Sequence, residues 1–514
     1  MLFLNGKTIN RDRARVYTED KEKGVNMCGI AGAAGTPDTN KEVIRMLAAL
    51  NHRGPDACGT YEAEGLSIGN TLLKITGNMP QPLVGKGALV LNGEIFNFRE
   101  LAAEQGIKTN SDTEVFFALI ETKIKEGETP TNAVFSVLSR VNGDYALAYT
   151  LDNELVLARD TVGVKPLFYC IEKEVENTKV TFASEKKAFS SQSSCIKPFP
   201  PGRIMALNIN DRRLEEKSLA IEPPQERISE EYEAASRLKA ALEKAVEIRL
   251  TKTAGIAFSG GIDSTFLAAL AKSIDPSISL YAVGLPNSHD LTQAQRAAEV
   301  AGMKDSLRTH LLSPEEIEDA IPDVIYSTES TDPMKIAIGL PLYFVAKTAK
   351  EDGKRVLLTG QGADELFGGY SRHEDFLEQG PEVLDREIYS DIQNISVINL
   401  ERDDMVTMAN SMELRVPFLD KEVIKTGLAI SPELKILKKD GLYIRKYILR
   451  KAAEGLLPSE LLWKEKKAIQ YGTGVQKVLD KFARDAGFSK KEGSHIEKYL
   501  KQIAVDEGFD FIFR

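Results

Sequence analysis

Between residues 28 and about 205 the apolar positions come in short runs separated by turn residues. The runs LSIGN from Leu66, ALVLNGEIFNF from Ala88, YALAYTL from Tyr145 and ELVLARD from Glu154 read as strands. Residues 42–50 and 113–125 follow a helical period instead. Strands interrupted by helices in this way predict an α+β unit, with two packed sheets and helices outside them.

From residue 229 the pattern changes. Ser229 can cap a helix whose first turn carries Glu230 and Glu231, and Leu238, Leu242, Ala245 and Leu250 recur at helical spacing. Residues 255–258 read as a short buried strand, followed by Ser259, Gly260, Gly261, Ile262, Asp263 and Ser264 and then an apolar helix. SLYAVGL from Ser279, SLRTHLL from Ser306 and RVLLTG from Arg355 read as later strands. Strands alternating with helices predict an α/β unit with a parallel sheet, helices on both faces, and ligands at the carboxyl ends of the strands.

Composition sets limits on this picture. A chain of 514 residues makes about two to four domains. With 42% hydrophobic and 28% charged residues it is an ordinary globular sequence. A net charge of −10 argues against a general nucleic-acid or membrane-surface partner. No apolar run reaches the roughly 18 residues of a membrane span, and the opening MLFLNGK is too short for a secretory signal. Cys28, Cys58, Cys170 and Cys195 form no CxxC pair, which points to a reducing cytoplasm and no zinc cluster. The organisation expected is a polar, loosely attached leader over 1–27, a first domain over 28–205 and a charged linker over 206–228 that contains Pro223-Pro224. A second domain follows over 229–485, with a tail over 486–514 to which no chemistry is assigned.

The Gly-rich turn is the strongest chemical signal. A strand running into such a turn at a helix N-terminus makes an anion site, because backbone N–H groups and the helix dipole point at the ligand. Gly260 and Gly261 let the backbone approach a phosphate, and Ser259 and Ser264 add hydroxyls. Asp263 would repel a bare phosphate and makes sense beside a metal ion. After the strand at 355–360, Gly360, Gln361, Gly362, Ala363, Asp364 and Glu365 form a second Gly-rich loop. The first loop, SGGIDS, resembles the pyrophosphate loop of ATP pyrophosphatases, and the resemblance implies that Asp263 and Asp364 share Mg2+ on the phosphates of ATP, with Phe258 and Val283 at strand ends against the adenine. Taken singly, the first loop has the plainer reading of a βα turn with small residues, and Asp364 that of a helix cap.

In the first domain, Cys28-Gly29-Ile30, then 51–56 (NHRGPD), then 92–97 (NGEIFN), then 111–114 (SDTE), resemble the class II, N-terminal-nucleophile glutamine amidotransferases. Amide hydrolysis requires a nucleophile, a base and an oxyanion hole. A thiol of pKa about 8.5 beside an α-amine of about 8 can supply the first two on one residue. Cys28 must then be the mature N-terminus, so the leader is either a misassigned start or a propeptide; a retained leader would silence the glutaminase. The resemblance implies that Asn92 and Gly93 hold the oxyanion. It also implies that Arg53 clamps the glutamine α-carboxylate and that Glu94 and Asp112 hold its α-ammonium.

From Cys28 to about Lys481 the chain resembles glutamine-hydrolysing asparagine synthetases, in a divergent, archaeal-like branch. SGGIDS, VGLPNSHDL with Asp290, GQGADELFGGY, ELRVPFLD and the WKEKK piece at 463–467 occur in family order. The resemblance implies adenylation of aspartate by ATP, then attack by ammonia delivered from the glutaminase, with Lys466 near the adenylate. The small-molecule partners implied are glutamine, aspartate and ATP; a homodimer is compatible with the sequence. Two departures are Gln361, where the family has glutamate, and Ala337, with Lys335 nearby, in place of an arginine. They motivate an alternative in which another carboxylate is aminated. A silent scaffold protein is a third reading, which intact SGGIDS, Asp364 and Arg53 oppose.

Overall fold

The computed structural model describes residues 14–17, 28–35, 38–54, 56–76, 79–173, 178–189, 195–210, 213–463, 474–509 and 512. The chain divides into two compact units between Ala220 and Ile221.

Among the described residues, the first unit holds two antiparallel sheets. One runs, in spatial order, β1 (Ala14–Tyr17), β3 (Ala57–Ala63), β4 (Leu66–Leu72), β2 (Gly29–Ala34), β10 (Thr178–Ala183), β9 (Phe168–Lys173) and β11 (Lys197–Pro198). The other runs β13 (Leu214–Ser218), β12 (Arg203–Asn208), β8 (Glu154–Arg159), β7 (Gly143–Leu151), β6 (Ala88–Ile95) and β5 (Leu83–Val84). The period of two along each strand builds the layers. Ile30, Ala34 and Ile68 from the first sheet share a buried cluster with Ala88, Val90 and Ala146 from the second. The alternate residues Leu89, Leu91 and Leu147 face outward, onto α2 (Phe98–Gln105), α3 (Asp112–Lys125) and α4 (Pro130–Leu138). On the other side Ala31 and Ala33 pack against Val43 and Leu47 of α1 (Thr39–Ala49). Each large apolar side chain buried in these layers stabilises the unit by about 1.5–3 kcal/mol. This is the expected α+β sandwich.

The second unit holds a parallel sheet in the order β16 (Leu307–Leu311), β15 (Ser279–Gly284), β14 (Ala254–Ala257), β17 (Val356–Leu358) and β18 (Glu413–Arg415). The chain steps outward from β14 to β15 and β16, then crosses back to β17. That reversal puts a crevice at the carboxyl ends of β14 and β17, where open α/β sheets bind ligands. Tyr281 and Leu357 from the sheet pack with α8 (Pro314–Thr328) and α9 (Pro333–Glu351) in one apolar cluster.

Five expectations change. The leader is not wholly unpaired: β1 pairs antiparallel with β3 at the sheet edge, Ala14 opposite Tyr61. The segment expected as a linker from 206 contributes the end of β12 and all of β13, because Arg203–Asn208 and Leu214–Ser218 pair as a hairpin. The tail is core: Ile496, Tyr499, Leu500 and Ala504 of the helix His495–Asp506 lie in the same cluster as α8 and α9. Helix α5 (Glu231–Arg249) is capped by the Glu230 carboxylate, which accepts from the N–H groups of Tyr232 and Glu233, while the Ser229 hydroxyl pairs with Ser431 at 2.7 Å. Finally, the cysteines are not all thiols. The β9–β11 pairing sets Tyr169 opposite Lys197 and so brings Cys170 beside Cys195. The two form a disulfide with their Cα atoms 5.1 Å apart, and the cysteine argument for a reducing compartment falls away.

Candidate functional site

In the first unit the structure gathers the expected glutaminase residues from four places in the chain. Cys28 precedes β2 and is half-buried. Leu73 N–H donates to its Sγ at 3.3 Å, and the thiol faces Leu73 O at 3.7 Å. Arg53 ends a single helical turn, Asn51–Arg53, and its side chain is fully buried. Its Nε donates to the Cys28 carbonyl oxygen at 3.1 Å and its Nη1 to Glu185 Oε1 at 2.7 Å. Arg53 is thus anchored on the backbone of Cys28.

Asn92, Gly93 and Glu94 follow one another on β6, and Asn92 and Glu94 are buried. Gly93 has φ +145°, and a Cβ there would lie 2.0 Å from the Asp144 carbonyl oxygen of the neighbouring strand β7. Only glycine fits this backbone. Asp112 begins α3 and accepts from Ile95 N–H at 2.9 Å, which ties it to the end of β6 beside Glu94. Asn92 Nδ2 reaches Ser184 Oγ at 3.5 Å, and Ile30 N–H donates to the same oxygen at 3.0 Å. Through Ser184, then, Asn92 is linked to the strand that Cys28 opens.

Glu185 was not foreseen in the sequence. It is fully buried and gathers Arg53 Nη1, His52 Nε2 (3.0 Å) and Lys187 Nζ (2.7 Å). Burial pushes its carboxyl upward, but His52, Lys187 and Arg53 together outweigh that and hold it well below the ordinary glutamate range.

In the second unit the Gly-rich turn lies where β14 meets α6 (Ile262–Ile274), with Gly261 as N-cap. The turn is braced internally. Ser259 Oγ and Ser264 Oγ are 3.1 Å apart, Ser259 N–H donates to Ser264 Oγ at 3.2 Å, and Gly261 N–H donates to Ser259 Oγ at 3.3 Å. The two hydroxyls therefore shape the loop as well as lining it. Phe258 and Val283 are buried, next to the ends of β14 and β15. Gly360 follows β17 so closely on the first loop that a Cβ there would lie 3.0 Å from Asp263 Cβ. The two Gly-rich loops are thus side by side at the switch point.

Lys446 occupies their junction. It ends the hairpin of β19 (Ile436–Lys439) and β20 (Leu442–Arg445) and takes the left-handed φ of 55°. It is buried, and its Nζ donates to Asp263 Oδ2 at 2.6 Å and pairs with Asp364 Oδ1 at 2.9 Å. Burial alone would lower its pKa; Asp263 and Asp364 overcome this and raise it above 10.5, so it is charged at any ordinary pH. A bulky residue held at positive φ is the kind of strain that marks a functional position. In the sequence Lys446 is one of many lysines, in the unremarked run YIRKY. The lysine singled out there, Lys466, lies outside the described residues. Next to Asp364, Glu365 is buried and its carboxyl is raised by burial and by Asp364; Asn399 Nδ2 donates to it at 2.7 Å.

One family-like piece, and one of the departures, are structural. In ELRVPFLD, Arg415 pairs with Glu413 inside β18 and donates to the Arg249 carbonyl, while Asp420 pairs with Arg249 of α5. Ala337 of α9 is buried in the apolar cluster between Ile336 and Leu340.

Comparison with known proteins finds a match for each of the two units. Residues 237–382 and 376–510 match the asparagine synthase family, and residues 27–207 match a glutamine amidotransferase domain. A Methanocaldococcus jannaschii protein provisionally named asparagine synthetase (glutamine-hydrolysing) 1 is 36% identical, over 94% of this chain and 100% of its own. Asparagine synthetase (glutamine-hydrolysing) 1 of Saccharomyces cerevisiae is 28% identical over 87% of this chain and 85% of its own. Asparagine synthetase B (glutamine-hydrolysing) of Escherichia coli is 28% identical over 87% and 83%.

Proposed function

The chain belongs to the glutamine-hydrolysing asparagine synthetase family, and from that premise we propose how its two units divide the work. The protein is a carbon–nitrogen ligase. It hydrolyses glutamine, activates aspartate with ATP and aminates it, giving asparagine, glutamate, AMP and pyrophosphate. The observation that carries the reading is Lys446 held between Asp263 and Asp364 where the two Gly-rich loops meet.

In the first unit Cys28 attacks the glutamine amide carbon. Its own α-amine takes the thiol proton and passes it to the departing ammonia. This requires Cys28 to be the first residue of the working enzyme. Asn92 Nδ2 and the Gly93 N–H face the oxyanion, each worth about 10²–10³ in rate for a group of this kind. Arg53 takes the α-carboxylate, and Glu94 and Asp112 the α-ammonium.

In the second unit the backbone of Ser259, Gly260, Gly261 and Ser264 surrounds the pyrophosphate, with Gly360 alongside and Phe258 and Val283 against the adenine. Aspartate's side-chain carboxylate attacks the α-phosphorus, pyrophosphate leaves, and ammonia displaces AMP. Lys446, rather than Lys466, is the cation we assign to the charge that develops as pyrophosphate departs. Asp263 and Asp364 already converge on one cationic nitrogen, and two carboxylates meeting at a point are the hard oxygen donors that Mg2+ prefers. Magnesium held by these two residues would neutralise phosphate charge. Among the described residues no helix is long and apolar enough to cross a membrane.

The test is pyrophosphate release from ATP by a chain that begins at Cys28, with ammonia as nitrogen donor and aspartate present or absent. Aspartate-dependent release with asparagine formed is the expected result. Release indifferent to aspartate would overturn the acceptor.

A further inference from the structure

We propose that Ser184 and Glu185, the two residues that follow β10, are positioning residues for glutamine hydrolysis: Ser184 sets the oxyanion donor Asn92, and Glu185 sets the α-carboxylate clamp Arg53. The inference rests on the reading of Cys28 as glutaminase nucleophile.

Ser184 continues the pairing of β10 with β2, in which Ala183 lies opposite Ala31. Its N–H donates to the Ile30 carbonyl at 3.0 Å, Ile30 N–H donates to its Oγ at 3.0 Å, and the hydroxyl itself lies 3.5 Å from the Ile30 carbonyl. A serine hydroxyl has one proton and two lone pairs. With the proton turned to Ile30 O and one lone pair taken by Ile30 N–H, the oxygen can meet Asn92 only as an acceptor. The Asn92 amide must therefore present its NH2 at 3.5 Å rather than its carbonyl. That choice is what an oxyanion donor needs, because the second proton of the same NH2 is then directed by a fixed amide plane. Ser184 is fully buried, so no solvent competes for these bonds.

Glu185 does the equivalent for Arg53. Both side chains are fully buried and meet at 2.7 Å, and the Arg53 Nε contact to Cys28 O at 3.1 Å fixes the guanidinium plane from the other side. His52 and Lys187 close the remaining approaches to the carboxylate. One carboxylate against Arg53 and Lys187 leaves the cluster net positive, as a site for an α-carboxylate must be. Loss of this carboxylate would remove a buried charged partner from Arg53 and one of the contacts that fix its plane. Adjacent residues on one strand end thus serve two separate segments, the amide of Asn92 on β6 and the guanidinium of Arg53 on the turn Asn51–Arg53.

The experiment measures hydrolysis of glutamine and of its decarboxylated analogue 4-aminobutanamide by the full chain beginning at Cys28, with Ser184→Ala, Glu185→Gln and Glu185→Asp. For Glu185→Gln the glutamine KM is expected to rise about tenfold or more, following loss of a charged, buried partner. Its preference for glutamine over the analogue, as a ratio of kcat/KM, should fall by a similar factor, because only glutamine has the α-carboxylate. Glu185→Asp should recover part of that preference. Ser184→Ala should lower kcat about tenfold or more for both substrates alike, leave the preference intact, and cost nothing further in an Asn92→Ala background. A Glu185→Gln enzyme that keeps the wild-type preference, or loses both substrates in parallel, overturns the role of Glu185. Additive losses in the Ser184→Ala, Asn92→Ala pair overturn that of Ser184. A wild-type chain that does not hydrolyse glutamine overturns the nucleophile reading and this inference with it, and shows so before any variant is made.

Discussion

Lys446 Nζ donates to Asp263 Oδ2 at 2.6 Å, joining the end of a β-hairpin to the first turn of a helix that lies 183 residues earlier in the chain. The same nitrogen pairs with Asp364, so three residues from three separate segments share one point at the carboxyl ends of β14 and β17. If that point is where ATP is cleaved, Lys446→Gln should reduce asparagine formation at least about 10²-fold with either glutamine or ammonia as donor. Glutamine hydrolysis measured alone should persist. Equal loss of both activities would remove Lys446 from the synthetase chemistry.

Gly369 allows that junction to close. A Cβ at this position would lie 1.8 Å from Asp364 Oδ1 and 2.3 Å from Lys446 Cε. Gly369→Ala should therefore displace the ion pair and abolish ATP-dependent pyrophosphate release, while costing about 1–3 kcal/mol of stability. Pyrophosphate release and a thermal scan, run side by side, separate loss of the site from loss of the fold. A fully active variant would show that the three-residue arrangement is dispensable.

Cys28 is testable by chemistry at its own nitrogen. Cys28→Ala should lose glutamine-driven synthesis and keep ammonia-driven synthesis. A chain with a single alanine added before Cys28 should behave in the same way, because an amide nitrogen is not a base. Mass spectrometry of the N-terminus of the working enzyme is the companion measurement. Glutamine turnover by the alanine-extended chain would exclude the α-amine as base.

Glu185 should show its charge in acid. Its folded pKa lies well below the ordinary 4.5, because His52, Lys187 and Arg53 outweigh burial. A depressed carboxyl contributes stability that is present above the unfolded value of about 4.5 and is lost as pH falls through the folded value. At pH 7, Glu185→Gln should weaken the first unit by about 3 kcal/mol, because the buried Arg53 and Lys187 lose this carboxylate. Below pH 4.5 the wild-type protein should lose stability faster than the variant, and the gap should narrow. Hydrogen-exchange protection of the β2 and β10 amides between pH 7 and 3 reads this directly, and a gap independent of pH would contradict it.

What the sequence by itself determined is what neighbouring residues do together. The strand, Gly-rich turn and helix from β14 into α6 are consecutive, so the Gly-rich turn that carries Asp263 is legible in one stretch. The apolar run that opens β6 likewise announces a strand, and the order of strands and helices announces both layer types. The tertiary structure decided the rest, because contacts between distant segments leave no local period. The sheet order that puts β17 beside β14 brings Asp364 to Asp263, and the closing hairpin delivers Lys446 to both. Glu185 met Arg53, and Cys170 met Cys195, only once sheet pairing fixed their register. The apolar spacing of Ile496, Tyr499, Leu500 and Ala504 is visible in the chain as a helix face. That this face completes the core under α8 and α9 follows from packing, since an amphipathic helix carries the need for a partner but not its address.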